Sequence, residues 1–136
     1  GCTGPGGPLS LVADNLPWAG ATFEATATGL GPASFGMIVL SLGQIAPGVF
    51  PINPNLIGIV PGPGLGCDLL VASVDSSEGL VPVAGVATWS LSLAPVQIDP
   101  TVPGVTFHLQ LVDLDFAAGW VGTHLTNGVT CTVGAF

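Results

Sequence analysis

Two aspartates in "VDLDFAAG", Asp113 and Asp115, follow a strand-like run and project to the same side of it. Oxygen ligands from carboxylates and loop carbonyls are what calcium prefers, so this pair is the candidate cation site. The plainer reading of the same residues is an acidic strand end and turn in water. His108 and His124 are the only imidazoles. Beside a serine or Asp113, either could serve a hydrolase, but the chain has no Gly-x-Ser-x-Gly elbow and no His-Glu-x-x-His helix. Two histidines without third and fourth ligands nearby do not make a zinc site either. No nucleophile, base and orienter can be assembled, so enzyme activity is not expected. Trp18 and Trp120 sit in Gly/Ala-rich loops, where an indole stacks on a sugar ring, caps the end of a sandwich or meets a second subunit. "VDSSEG", with Asp75 and Glu78, reads as an exposed turn.

The elements that would position these residues are strands. "ATFEATATGL" alternates Ala21, Phe23, Ala25 and Ala27 with Thr22, Glu24, Thr26 and Thr28, and "GVATWSLSLAP" alternates Ala87, Trp89, Leu91 and Leu93 with Thr88, Ser90 and Ser92. "GVTFHLQLVD" and "NGVTCTVGAF" show the same half-buried pattern, and "PLSLVADNL" supplies a shorter first strand. "SFGMIVLSLG" and "CDLLVAS" are nearly continuous apolar runs, as expected of strands covered on both faces. Gly, Pro, Asn and Asp clusters separate them, each with turn chemistry. Residues 44–66 are Pro-rich and suit an edge strand near Leu56 to Val60 or a long loop. The expected fold is a single all-β domain over 1–136: an antiparallel β-sandwich of Ig-like or jelly-roll type with about seven to eight strands, residues 1–8 forming a Gly/Pro-rich extension.

Composition excludes more than it identifies. The 136 residues contain no Lys or Arg against eight Asp and Glu, a formal net charge of −8. Binding of nucleic acid through phosphate contacts is therefore excluded, and anionic lipid or phosphorylated substrates lose their usual anchors. A buried acid would have no basic partner, so the eight acids are expected to be exposed, hydrogen-bonded to backbone or bound to metal ions. Charged residues make up 6% while hydrophobic residues make up 49%, so little but Ser, Thr and main chain remains to cover the surface. The longest apolar stretch, "FGMIVLSLGQIAPGVF", is broken by Gln44 and Pro47 and is too short for a transmembrane helix. Gly1 in place of an initiator Met suggests a chain processed from a signal peptide, hence an extracellular or cell-surface location. No Asn-x-Ser/Thr sequon occurs, while O-linked sugars on the many Thr and Ser remain open.

"GCTGPGGPLSLVADNLPWAGATFEATATGL", "PGLGCDLLV", and "PGVTFHLQLVDLD" leading to "LTNGVTCTVG" together resemble a secreted β-sandwich domain common in extracellular and surface proteins of planctomycete-type and myxobacterial-type bacteria. The shared positions are Cys2, Gly66 and Cys67, and the later Gln110, Asp113, Thr126, Asn127 and Gly128. The resemblance covers nearly the whole chain and implies fold and location, with no firm activity. It also implies a disulfide of Cys2 with Cys67. Residue spacing offers a competitor, Cys67 with Cys131, since each lies in phase with core residues of its run. Three cysteines leave one over in any case.

Missing charge, missing trypsin sites, abundant Pro and a disulfide together suit a structural subunit of an extracellular assembly. Such a chain would build a filament, tube or surface layer by burying uncharged faces against copies of itself, with Gly1 to Pro8 and Gly134 to Phe136 expected to reach a neighbour. The alternative is a cell-surface module that binds polysaccharide or protein through Trp18 and Trp120. No cofactor is expected beyond the candidate calcium ion.

Overall fold

A computed structural model describes residues 1–4, 6–50, 67–93, 103–116 and 122–134. The described residues form ten strands: β1 (Thr3–Gly4), β2 (Gly7–Pro8), β3 (Ser10–Ala13), β4 (Thr22–Thr28), β5 (Ser34–Ser41), β6 (Ser76–Leu80), β7 (Val86–Ser92), β8 (Thr106–Asp115), β9 (Gly122–Leu125) and β10 (Val129–Thr132). Two antiparallel sheets pack as a β-sandwich, as the alternating runs required. One sheet has the order β3-β4-β7; the other runs β10-β8-β5-β6, with β9 also on β8. The main core lies between them and takes the alternate residues of each strand: Leu11, Phe23, Ala25, Ala27 and Trp89 from the first sheet, Ile38, Phe107, Leu109, Leu111 and Cys131 from the second. Phe23 stands edge-on to both Phe107 and Trp89, with ring centroids 5.6 and 6.4 Å apart. The alanines around Phe23 leave room for these large rings to interlock, as close packing demands.

The second sheet is covered on both faces. Its outer face carries Val39 and Val112, which with Leu125 pack against Cys2, Cys67 and Val71. The covering layer is the segment that "CDLLVAS" encodes, and it departs from the expected strand. It is joined to residues 43–50 by isolated pairing rather than a regular strand: a bridge from Val71 to Gln44, and main-chain bonds from Ile45 N–H to the Leu70 carbonyl, Leu69 N–H to the Phe50 carbonyl and Ala72 N–H to the Gly43 carbonyl. The apolar run signals burial here, and periodicity does not separate a buried strand from a buried strap. Because of this strap, β8 is buried along most of its length rather than half-buried as its alternation suggested.

Three further expectations are corrected. "VDSSEG" is exposed as expected but is a turn only at its start: from Ser76 it is the edge strand β6, which pairs with β5 from Gly36↔Leu80 to Leu40↔Ser76. Residues 122–125, next to the Gly-containing "LTNG" turn, form β9. The described residues of the 1–8 extension are tied to the domain. Cys2 is buried and disulfide-bonded to Cys67 with Cα atoms 4.8 Å apart, its N–H donates to the Leu125 carbonyl, and its carbonyl accepts from Leu9 N–H. Gly134 is likewise tied down, by Trp18 and by main-chain bonds to Pro17 and Ala19. The possible edge strand at Leu56 to Val60 lies outside the described residues.

Candidate functional site

Most of the singled-out polar residues converge on β8 and the strand beside it. Leu125 pairs with Val112 and Val129 with Leu109, so Thr126, Asn127 and Gly128 stand opposite only Gln110 and Leu111. This is a β-bulge that divides β9 from β10. Thr126 repairs the ladder at the bulge, its main-chain N–H donating to the Leu111 carbonyl and its hydroxyl accepting from Leu111 N–H at 2.9 Å. Asn127 turns outward from the bulge to β3, whose edge it clasps like a one-residue strand: its Oδ1 accepts from Leu11 N–H at 2.8 Å and its Nδ2 donates to the Leu11 carbonyl at 2.9 Å. Gly128 lets the strap pack close, since a Cβ there would meet the Leu70 side chain at 3.0 Å.

Gln110 faces the opposite way, under the strap. Its Oε1 accepts from Leu70 N–H, and its Nε2 donates to the carbonyls of Asp68 (2.7 Å) and Thr126 (2.9 Å). Its amide therefore adds three bonds that hold the strap and the bulge to β8. Gln110 and Asn127 thus form two structural clamps, one on the strap and one on the facing sheet. Their hydrogen-bonding capacity is spent within the fold.

Asp113 is different. It lies on the inner face of β8 with Leu109 and Leu111, fully buried, between Gly36 of β5 and His124 of β9. Neither of its carboxylate oxygens has a hydrogen-bond partner. His124 Nδ1 stands 3.7 Å from Asp113 Oδ2 and is itself unbonded. Of the situations expected for the acids, Asp113 is neither exposed nor hydrogen-bonded to backbone; it faces His124 instead. Burial follows from β8 continuing to Asp115 instead of ending before it. Asp115 shares the face, as the sequence spacing required, and is also buried. Among the described residues no group of three or more His, Cys, Asp or Glu is close enough together to hold a metal ion.

The remaining candidates are dispersed. His108, on the outer face of its strand, shares a 2.9 Å hydrogen bond with Thr130 across the β8–β10 ladder. Asp75 accepts from Leu42 N–H and the Ser73 hydroxyl, which fixes the turn before β6. Glu78, read as an exposed turn residue, accepts from the Trp89 indole N–H at 2.9 Å and ties edge strand β6 to edge strand β7. Trp18 lies over Gly134, filling the place a Cβ would take, and keeps 38% of its surface in water beside exposed Leu16. Trp120 lies outside the described residues. Cys131 is the free cysteine among the described residues, and burial pushes its thiol above the ordinary value of 9.0.

A cleft of about 520 Å³ is lined by Gly6, Thr28 to Pro32, Pro82 and Ala84 to Val86. Among the described residues no ionisable side chain lines it. No helix among the described residues is long and apolar enough to cross a membrane. No protein-family model matches the chain, and no curated protein or solved structure matches it either.

Proposed function

We propose that the chain is a structural subunit of an extracellular assembly, a filament, tube or surface layer, built by self-association of uncharged β-sandwich faces, and that it is not an enzyme. The observation that carries this reading is the reversal joining β6 to β7. Val83 and Val86 exchange both main-chain hydrogen bonds across Ala84 (φ 52°) and Gly85 (φ 80°), so the backbone there is fixed. Val81 and Val83 are each 77% exposed on it, and Val86 is exposed beside them. A rigid, valine-tipped projection next to a cleft without ionisable groups is a surface that gains by being covered, at ~25 cal/mol per Å² of apolar area.

The outer face of β3-β4-β7 supports the same reading. It presents Ser10, Val12, Thr22, Thr26, Thr28, Val86, Thr88, Ser90 and Ser92, with Glu24 on β4 and the Asp14 carboxylate, which accepts from the Thr26 hydroxyl at 2.7 Å, as its charges. Uncharged hydroxyl and methyl groups can be covered without stripping water from ions. Cys2 and Gly134, in the arms expected to make the contact, are bonded within the domain, so the sheet face and the valine tip are the surfaces this reading rests on. The test is size-exclusion chromatography with light scattering beside negative-stain microscopy. Val81→Asp with Val83→Asp should leave a folded monomer where the parent chain assembles.

The second reading, a cell-surface module that binds polysaccharide, is favoured by the half-exposed indole of Trp18 beside Leu16. Glycan-array binding lost in Trp18→Ala, with the chain monomeric throughout, would select it over assembly.

A further inference from the structure

We infer that the valine tip of one copy seats in an apolar groove on the outer face of the second sheet of the next, so that subunits join head to tail. The groove, about 130 Å³, is lined by Met37, Val39 and Val112 of the sheet, by Leu69 and Val71 of the strap, and by Val74 just beyond it. Ser73 contributes the one hydroxyl among the described lining residues, and that oxygen is already hydrogen-bonded to Ser41 and to the Asp75 carboxylate. Among the described residues the groove thus presents no ionisable side chain and no unspent hydroxyl or amide, so its occupant is apolar. A space that would hold about four waters at roughly 30 Å³ each takes the three side-chain carbons of a valine.

The inference rests on the reading of the chain as a self-associating subunit, and within that reading the chain itself carries the matching part. Val81 and Val83 stand exposed on a reversal fixed by the bonds between Val83 and Val86, with no ionisable residue from Val81 to Val86. A projection already held in shape loses little freedom when it is bound. β6 sets tip and groove apart: Val74, an exposed residue of the groove, precedes the strand by two residues, and Val81 follows it directly. The strand spans about 17 Å and is paired to β5 throughout, so a tip cannot fold back into its own groove. Contact between two different surfaces is heterologous: each joined copy still offers a tip or a groove at its other end, and addition continues unless the rotation closes a ring. The Asp75 carboxylate beside the groove is engaged by Leu42 N–H and the Ser73 hydroxyl, while the tip carries no charge. The seated surfaces therefore oppose no like charges, and one contact covers two exposed apolar patches.

The test mixes two variants of the full chain. Val81→Asp with Val83→Asp removes the tip and keeps the groove, while Val74→Asp spoils the groove and keeps the tip. Each alone should be a folded monomer by light scattering. An equimolar mixture should form a one-to-one heterodimer and nothing larger, because one working tip meets one working groove. Met37 is the single methionine of the chain and lines the groove, so it reads the contact directly. Its carbon-13 methyl signal in the labelled Val81→Asp, Val83→Asp chain should shift when unlabelled Val74→Asp chain is added. Should Val74→Asp fail to fold, Ala72→Asp, also in the groove lining, takes its place. If the parent assembles but folded Val74→Asp assembles equally well, or the mixture stays monomeric with the Met37 methyl unmoved, the groove contact is overturned and self-association stands. A parent chain that never assembles overturns both.

Discussion

Asn127 shows how much one side chain can hold in this fold. Its amide gives and accepts one bond each with the Leu11 main chain, joining the two sheets at an edge where no strand does so. Asn127→Ala leaves a partly buried N–H and C=O unpaired and should lower unfolding free energy by about 1–3 kcal/mol, read from urea denaturation. Asn127→Asp keeps only the acceptor and should recover part of that loss. Cys131 gives a second prediction at this scale. Its thiol value is raised by burial in the folded state, so above pH 9 the unfolded chain ionises first. Any stability linked to this group is therefore intact below about pH 9 and declines as pH rises beyond it, and Cys131→Ala should flatten that alkaline decline. Sequence spacing placed Phe23, Trp89 and Cys131 in the core and Asp113 beside Asp115 on one face. It could not show Gln110 as buried, because the alternation of β8 says only which side the amide takes. Burial depends on a strap more than 35 residues away in sequence, between Asp68 and Leu70.

At the scale of elements, the strands with strong alternation were legible and the weak ones were not. β4 and β7 bury one face each, so period two marks them. β6 is an edge strand of small and acidic residues with almost no buried side chain, which leaves no apolar signal, while β9 has only four residues. The Cys2–Cys67 disulfide settles the two pairings left open at the sequence level and joins the N-terminal hairpin to the start of the strap across 65 residues. Paired Cys2→Ser and Cys67→Ser substitutions should lower stability by about 2–4 kcal/mol. Thiol titration of the parent chain should find one free thiol per molecule, reacting rapidly only once denatured. Two or more would contradict the pairing.

At the scale of the molecule, a sandwich with clamps at its edges and a surface of Ser, Thr and exposed valine suits a part that is built with. Each subunit still brings a formal charge of −8, which opposes close packing of copies. Assembly should therefore strengthen with divalent cations, and with acid near the carboxylate value of about 4, and weaken in chelator at low salt. Assembly that is indifferent to both would contradict this electrostatic account. The most direct measurement of the central proposal is light scattering on the purified chain at neutral pH with divalent cation, beside the Val81→Asp, Val83→Asp variant, with negative-stain images of the same samples. Regular polymers from the parent and a folded monomer from the variant are the predicted result. A parent chain that stays monomeric at all concentrations would contradict it.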